Sequence, residues 1–266
     1  MKINNNDIVL MLHWEKEKRF SQISYALNNN YGIEIVGFSW SPLYNDNYLM
    51  KKMKKEYKNE IKNIFNFISF HGPISDIIPH SDDKSIKNIA KDRICRSIET
   101  ALELNSKRII FHTGINHIIT DPKYYNNCIN EQSKFWIDIL TKYKNIEICI
   151  ENMWEPNPGI MVEILKNCNN EKLNLCFDTG HQNVYGKINF DEWFDKSKNY
   201  ITHFHLNDNL SIWDEHLTLG KGNYDWKLFI KNIKNNINKQ KFVLELDSIE
   251  KQIESIKYLK DLDFFE

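Results

Sequence analysis

Short apolar runs alternate along the chain with longer amphipathic stretches. Eight of the runs are typical of β-strands, because Ile, Val, Leu and Phe occupy both of their faces. They span residues 8–12, 33–38, 65–72, 108–114, 146–152, 173–181, 201–208 and 242–247. The segments between them place apolar residues at helical spacing, as Ile86, Ile94 and Leu102 do within residues 84–104. The pattern predicts strands and helices in alternation.

Strands that are apolar on both faces and separated by helices indicate a parallel sheet covered by helices. Eight such units in 266 residues favour a single (β/α)8 TIM barrel, which belongs to the α/β fold class. A doubly wound sheet would more often open with a glycine-rich turn, and the sequence has no G-x-G-x-x-G or Walker A motif. Since no linker rich in Pro, Gly or Ser divides the chain, we expect residues 1–266 to form one TIM-barrel domain.

Composition and charge narrow the class of partner. The chain has 35 Lys and Arg against 36 Asp and Glu, and a net charge of −1 gives no general attraction to nucleic acid. Its longest early apolar run, residues 8–12, is too short for a secretory signal or a membrane span. The five cysteines contain no C-x-x-C pair, which argues against disulfides and thiolate metal sites. We expect a cytoplasmic protein without membrane or nucleic-acid partners. Assembly into a homo-oligomer is compatible with this composition.

Ionisable side chains fall where the predicted strands end. In a TIM barrel the carboxyl ends of the strands and the loops after them build the active site. Six predicted strands end in His, Asp or Glu, and Lys and Arg are nearly absent there. These residues are His71, His112, Glu151, Asp178, His181, His205 and Glu245, and Asp214 and His216 follow in the loop after the seventh strand.

Buried carboxylates without cationic neighbours need another partner, because an isolated buried charge costs several kcal/mol. A divalent metal ion would meet that need, since Zn²⁺, Mn²⁺, Co²⁺, Fe²⁺ and Mg²⁺ bind carboxylate or imidazole. The segment ITHFHLND, residues 201–208, aims His203 and His205 at the same face of a strand, because side chains alternate. We expect His205 to face the metal and His203 to lie one layer deeper as a hydrogen-bonded core residue.

Five segments carry a family resemblance: IENMW, CFDTGH, HFHLND, DEHLTLGKGNYDW and LEL, in that order. Together they resemble the xylose isomerase-like TIM-barrel superfamily, which includes sugar-phosphate isomerases, epimerases and endonuclease IV. In its ketose epimerase branch one metal is held by four residues, matched here by Glu151, Asp178, His205 and Glu245. The resemblance implies that Glu151 and Glu245 are acid and base on opposite faces of a small polyhydroxylated substrate, which His181 also contacts.

The endonuclease IV branch holds three zinc ions with nine residues, and all nine have counterparts here. They are His71, His112, Glu151, Asp178, His181, His205, Asp214, His216 and Glu245. The resemblance therefore implies one to three divalent ions, of Zn, Mn, Co, Fe or Mg. Against DNA cleavage, LMLHWEKEKRF stands where that branch has a glycine-rich opening, and Glu215 replaces its usual basic residue. Against a complete epimerase site, no arginine lies between Tyr200 and Trp226.

Several of these residues also have plain structural explanations. His71 and His112 could hydrogen-bond a loop, and Asp214 and His216 could form a turn. We expect His181, three residues after Asp178, to point away from that aspartate and towards substrate or a second metal. Other candidates are Trp154 and Trp40, which could wall a substrate pocket, although aromatic residues near a barrel rim more often belong to the core.

The sequence thus predicts a metal-dependent isomerase or epimerase of a sugar or sugar phosphate, with Glu151 and Glu245 as the proton shuttle. The alternative is a multinuclear metal-dependent phosphoesterase of the endonuclease IV type. A barrel that only binds a ligand is a third reading, which the intact carboxylate pair disfavours.

Overall fold

A computed structural model describes residues 3–61, 64–236 and 240–265 of the chain. In this part eight parallel strands close into a barrel in sequence order, and β8 pairs with β1. The strands are β1 Ile8–Leu12, β2 Gly32–Ile35, β3 Ile68–His71, β4 Arg108–His112, β5 Glu147–Glu151, β6 Leu173–Asp178, β7 Ile201–Leu206 and β8 Lys241–Leu244. The (β/α)8 barrel that the sequence predicts is confirmed.

Helices follow the strands and cover the outside of the barrel. They are α1 Lys16–Asn29, α2 Asn47–Ile61, α3 Lys84–Glu103, α4 Pro122–Lys142, α5 Gly159–Cys168, α6 Thr179–Tyr185, α7 Phe190–Ser197, α8 Trp226–Asn235 and α9 Ile249–Asp261. Asp83 and Asp121 cap the two longest helices by accepting from main-chain N–H groups in the first turn. No helix in the described ranges is long and apolar enough to cross a membrane.

Two strand ends differ from the predicted ones in ways that affect the site. The sixth strand stops at Asp178, so His181 lies in the first turn of α6 instead of on a strand. The reason is that the Asp178 side chain accepts from the main-chain N–H of His181 at 2.6 Å, which caps α6 directly after the strand. The eighth strand ends at Leu244, and Glu245 is the residue after it.

The alternation of side chains along the strands places the polar residues in the barrel mouth. Inside the barrel, Ile110, Cys149 and Cys176 form a small buried apolar cluster. Two residues further along each of these strands stand His112, Glu151 and Asp178, which therefore share the inward face, one layer higher. Outward residues such as Phe111 and Phe177 are fully buried against the helices. The core is thus apolar between sheet and helices and polar at the carboxyl end of the barrel.

Candidate metal centre

Four imidazoles surround the carboxylate of Glu151, the last residue of β5. His205 Nδ1 and His181 Nδ1 lie 2.9 and 3.5 Å from Glu151 Oε1. His71 Nε2 and His112 Nε2 lie 3.3 and 3.2 Å from Glu151 Oε2. All five residues are buried. Closure of the barrel therefore brings four imidazoles, from β3, β4, β7 and the first turn of α6, onto one carboxylate.

The four residues matched to the single-metal site also meet at one point. One donor atom from each of Glu151, Asp178, His205 and Glu245 lies within 4.8 Å of the other three. His205 Nδ1 lies 3.3 Å from Glu245 Oε2, as well as beside Glu151. Such a group of nitrogen and carboxylate oxygen atoms could hold a divalent ion.

The loop after β7 folds back over the centre and adds Asp214 and His216. Asp214 Oδ2 lies 2.9 Å from His216 Nε2 and 3.4 Å from His181 Nε2. His181 also has its Nδ1 3.4 Å from Asp178 Oδ1. The expectation that His181 points away from Asp178 is therefore wrong, because α6 starts at once after β6 and its first turn winds back over the strand end.

Main-chain carbonyl groups fix the tautomer of three of these histidines. A carbonyl oxygen only accepts, so a ring nitrogen facing one must carry the proton. The pairs are His71 Nδ1 with Gly72 O at 2.8 Å, His181 Nδ1 with Asn152 O at 2.9 Å and His216 Nδ1 with Glu245 O at 2.8 Å. The Nε2 lone pair of each ring is left facing carboxylate oxygens. This arrangement is stable only with a cation or a second proton between nitrogen and oxygen.

Buried polar atoms without a hydrogen-bond partner cluster in the same place. In the described part of the chain they include both ring nitrogens of His112, Glu151 Oε2, Asp214 Oδ1 and Glu245 Oε2. Folded proteins rarely leave such atoms unpaired, because desolvation without a partner costs about 1–3 kcal/mol per group. The donor set consists of imidazole nitrogen and carboxylate oxygen, so the residues present fit one or more divalent metal ions.

The charged groups shift one another's pKa strongly. Burial raises the pKa of Glu151, but the imidazoles of His205 and His112 outweigh it and hold that pKa well below its usual range. Burial lowers the pKa of His216, but Asp214 raises it to about 10. Burial also raises the pKa of Asp178 to about 8, although the imidazole of His181 opposes it. Without a metal ion, protons on the imidazoles therefore supply the positive charge that these carboxylates need.

Two asparagines orient the ligands, and the sequence pattern did not single them out as functional. Asn152 pairs with the main chain of Asp178 through both atoms of its amide, at 2.8 and 3.0 Å. Asn207 donates to Asp178 Oδ2 at 2.8 Å. Next to it, Asp208 accepts from Gly220 N at 2.8 Å and Trp226 Nε1 at 2.9 Å, which anchors the loop. The signal in the sequence was position alone: Asn152 follows Glu151 directly at the end of β5, and Asn207 follows β7 directly.

The two tryptophans proposed as pocket walls lie at the rim. Trp40 is 64% exposed and Trp154 is 44% exposed. Trp40 lines a cavity of about 640 Å³ together with Trp14, Leu49 and Met53, between α1 and α2. That cavity is lined by none of the nine candidate ligands, which are all described. A contact of Trp40 or Trp154 with substrate stays a prediction.

Comparison with known proteins agrees with this architecture. The family model described as xylose isomerase-like TIM barrel matches residues 27–262. The uncharacterized proteins MJ1311 and MJ1614 of Methanocaldococcus jannaschii are each 28% identical, over 215 and 201 residues. The two alignments cover 74% and 71% of this chain and 70% and 76% of the relatives.

Solved structures of similar fold cover nearly the whole chain. A D-tagatose 3-epimerase-like protein aligns with a TM-score of 0.76 at 24% identity, over 98% of this chain and 97% of its own. The TTHB071 protein of Thermus thermophilus, soaked with zinc chloride, aligns with a TM-score of 0.74 at 21% identity. The alignment covers 97% of this chain and 98% of TTHB071. D-psicose 3-epimerase of Clostridium cellulolyticum with D-tagatose aligns with a TM-score of 0.68 at 14% identity. That alignment covers 100% of this chain and 99% of the epimerase. At these identities the likeness is one of fold.

Proposed function

The chain belongs to the xylose isomerase-like TIM-barrel family, and from that premise we propose that it is a metal-dependent isomerase or epimerase of a small sugar or sugar phosphate. Glu151, Asp178, His205 and Glu245 would hold one divalent cation, and the observation that carries this proposal is that their donor atoms converge within 4.8 Å. Two of the solved structures with this fold are named as a ketose epimerase and an epimerase-like protein, which supports the same class.

Glu151 and Glu245 are the residues suited to move a proton. They approach His205 Nδ1 from the ends of two different strands, β5 and β8, at 2.9 and 3.3 Å. In the proposed complex the substrate lies between them, with one carboxylate on each side. Burial raises the pKa of Glu245, but His205 and His216 lower it to about 2, so this carboxylate is ionised and able to act as a base at neutral pH. One carboxylate takes the proton beside the substrate carbonyl and becomes a carboxylic acid. For isomerisation the same group returns that proton to the neighbouring carbon. For epimerisation the other glutamate must first receive a proton, which the imidazoles beside Glu151 can supply, and it donates that proton to the opposite face.

The divalent cation, when bound, polarises the substrate carbonyl and stabilises the negative charge that develops on its oxygen. The buried position of the carboxylates contributes separately. The Glu151 side chain is 0% exposed and that of Glu245 11% exposed, so bulk water has little access to the proton in transit. Asp178 is held in place by Asn152 and Asn207.

Exchange of substrate hydrogen with solvent tests the proton shuttle. Wild-type protein supplied with Mn²⁺ or Co²⁺ should incorporate deuterium from D₂O next to the carbonyl of one or more ketoses or ketose phosphates. Glu245→Gln should lower that rate by roughly 10²- to 10⁴-fold, the usual contribution of a general base. The matched control is Glu250→Gln, on the exposed face of α9, which should exchange at the wild-type rate. Normal exchange by Glu245→Gln would remove both glutamates from the proposed mechanism.

A second candidate function is hydrolysis of a phosphoester by two or three cations. The observation that favours it is that one ion on the four residues above leaves other ligand atoms unused. His71 and His112 both face Glu151 Oε2, and Asp214 faces both His181 and His216. Further groups able to hold an ion are His71, Glu151 and His205, and His112, Glu151 and His181. A carboxylate shared between ions is characteristic of multinuclear hydrolases.

Counting the metal separates the two candidates. Elemental analysis of protein purified without added metal should find one ion per chain for the single-metal isomerase or epimerase. Two or three ions per chain, together with release of nitrophenol from bis(4-nitrophenyl) phosphate, would support the phosphoesterase. The combination of one ion and no hydrolysis would remove the second candidate.

A further inference from the structure

Glu34 is a fully buried carboxylate beneath the metal centre, and the proposed chemistry does not use it. It is the third residue of β2, lies opposite Ser69 of β3, and is 0% exposed. Ser69 Oγ donates to Glu34 Oε2 at 2.8 Å, and His203 Nε2 lies 3.0 Å from the same oxygen. The other oxygen, Oε1, lies 3.0 Å from His205 Nε2. Burying a carboxylate inside a barrel costs several kcal/mol, so these contacts call for an explanation.

The proton of His203 is placed by Arg108, the first residue of β4. Arg108 Nη1 lies 3.2 Å from His203 Nδ1 and also donates to the main-chain oxygen of Thr202 at 2.6 Å. A guanidinium has donors only, so His203 Nδ1 must be the acceptor. The single ring proton of His203 is then on Nε2, from which it is donated to Glu34 Oε2. Arg108 is itself held by Glu147, which accepts from Nε at 3.0 Å.

These contacts leave Glu34 one oxygen for His205. Oε2 already accepts from Ser69 and His203, so Oε1 is the oxygen that faces His205 Nε2. Both ring nitrogens of His205 face carboxylates, because Nδ1 lies beside Glu151 and Glu245. A cation held by these residues would take the Nδ1 lone pair, and the single ring proton would then be on Nε2, facing Glu34 Oε1. His205 is thus oriented oppositely to His71, His181 and His216, whose Nδ1 atoms donate to main-chain carbonyls.

We propose that Glu34 is a positioning residue of the metal centre, which fixes the tautomer and orientation of His205 through a buried chain that runs from Arg108 through His203. The inference rests on the proposed metal centre above. A side chain is needed at this point because the carbonyl groups of the barrel strands lie in the plane of the sheet and do not point at a ring in the interior. A carboxylate acceptor also makes the imidazole a more basic ligand than a carbonyl would.

Substitution of Glu34 tests the role through metal affinity. Glu34→Gln keeps the shape but adds an N–H₂ group, which must face either His203 Nε2–H or His205 Nε2. If the amide N–H₂ faces His203, two donors oppose each other. If it faces His205 Nε2, that nitrogen must accept, and the His205 proton moves to Nδ1. Zn²⁺ affinity, measured by competition with a chromophoric chelator, should fall about 10- to 100-fold, and the absorption spectrum of the Co²⁺-loaded protein should change.

A second substitution gives a result that general loosening of the fold would not produce. In Glu34→Gln/Arg108→Met the donor opposite His203 Nδ1 is gone, so His203 can move its proton to Nδ1 and accept from the new amide. This double variant should bind Zn²⁺ about fivefold more tightly than Glu34→Gln alone, a coupling of about 1 kcal/mol. The control is Glu163→Gln on the surface of α5, whose side chain is 49% exposed, and it should stay within about twofold of wild type.

The wild-type protein provides a readout that needs no stable variant. Nuclear magnetic resonance of ¹⁵N-histidine-labelled, Zn²⁺-loaded protein should show His205 with its proton on Nε2 and the metal on Nδ1. The opposite assignment, or unchanged Zn²⁺ affinity in Glu34→Gln, would overturn the role of Glu34 while leaving the metal centre in place. Absence of Zn²⁺ and Co²⁺ binding by the wild-type protein would instead overturn the metal centre and this inference with it.

Discussion

Asn207 donates its side-chain amide to Oδ2 of Asp178 at 2.8 Å, from the position directly after β7. The main-chain N–H of His181 donates to the other carboxylate oxygen, Oδ1, at 2.6 Å. Asp178 is thus held from two sides by groups that belong to different elements. Its orientation depends on the packing of α6 against the end of β7.

Removal of the Asn207 amide should weaken metal binding. Asn207→Ala frees one oxygen of Asp178 from its donor, and loss of such an outer partner typically costs about 10- to 100-fold in metal affinity. Titration with Zn²⁺ against a chelator would measure it. Asn174→Ala, at the opposite end of β6, is the control and should bind as wild type does. Equal affinity in both variants would show that Asp178 needs no help from Asn207.

Gly180 should tolerate no side chain. A Cβ at this position would overlap Asn207 Oδ1, which cannot move without giving up Asp178. We expect Gly180→Ala to lose about 1–3 kcal/mol of unfolding free energy, the usual cost of overpacking. In an Asn207→Ala background the obstacle is absent, so the same substitution should cost less. Denaturant unfolding of the four proteins would measure this difference, and equal costs in the two backgrounds would contradict it.

Metal should stabilise the fold. An ion that binds only the folded chain adds about 2.7 kcal/mol at a free concentration 100 times its dissociation constant. We therefore expect the melting temperature to rise on addition of Zn²⁺ or Mn²⁺ and to fall with a chelator. Differential scanning calorimetry would measure both shifts. Identical melting with and without chelator, in protein shown to contain metal, would place that metal outside the folded structure.

The affinity for metal should increase with pH. Burial lowers the pKa of His205, the histidine among the four proposed ligands, but neighbouring acidic groups hold it well above its usual range, and Asp214 raises the pKa of His216 to about 10 against the effect of burial. At pH 7 these rings carry protons that a cation must displace, so binding releases protons. We expect Zn²⁺ affinity to fall at least about tenfold from pH 8 to pH 7. Calorimetry in two buffers of different ionisation enthalpy would count the protons released.

The same shift predicts how the metal-free protein responds to alkali. The pKa of His216 in the folded protein, about 10, lies above that of an unfolded histidine. At pH values between these two pKa values the folded state therefore binds one proton that the unfolded state does not. The resulting stability is complete below the unfolded pKa and is lost as pH rises through about 10. Chelator-treated protein should therefore become easier to unfold between pH 7 and pH 10, and His216→Ala should reduce that slope.

His80 should give the opposite pH dependence, at a site away from the metal centre. It is 4% exposed, with Gln132 Nε2 3.2 Å from its Nδ1, and burial lowers its pKa to about 4 although Asp82 opposes this. The stability that the neutral His80 ring contributes is complete above the pKa of an unfolded histidine, about 6.5, and is lost as pH falls through about 4. Between pH 7 and pH 5, wild type should lose about 2 kcal/mol more than His80→Gln in denaturant unfolding. Parallel losses would contradict a buried neutral His80.

The sequence by itself determined the eight strands, their order and the charged residues at their ends. Two-sided apolar runs such as residues 146–150 are stable only in a sheet covered on both faces, and that requirement is readable from local pattern. The position of Glu151 or His205 at a strand end was equally readable, because side chains alternate along each strand with a period of two.

Only the tertiary structure decided which of these side chains touch. Glu34 of β2 and His205 of β7 come together across the interior of the closed barrel, and their pairing leaves no mark in either local sequence. The direction of His181 depends on where α6 begins, and the contact of Asp214 with two histidines depends on how the loop after β7 folds back. Periodicity encodes which face a residue occupies, whereas distance and tautomer depend on closure and on the partners it supplies.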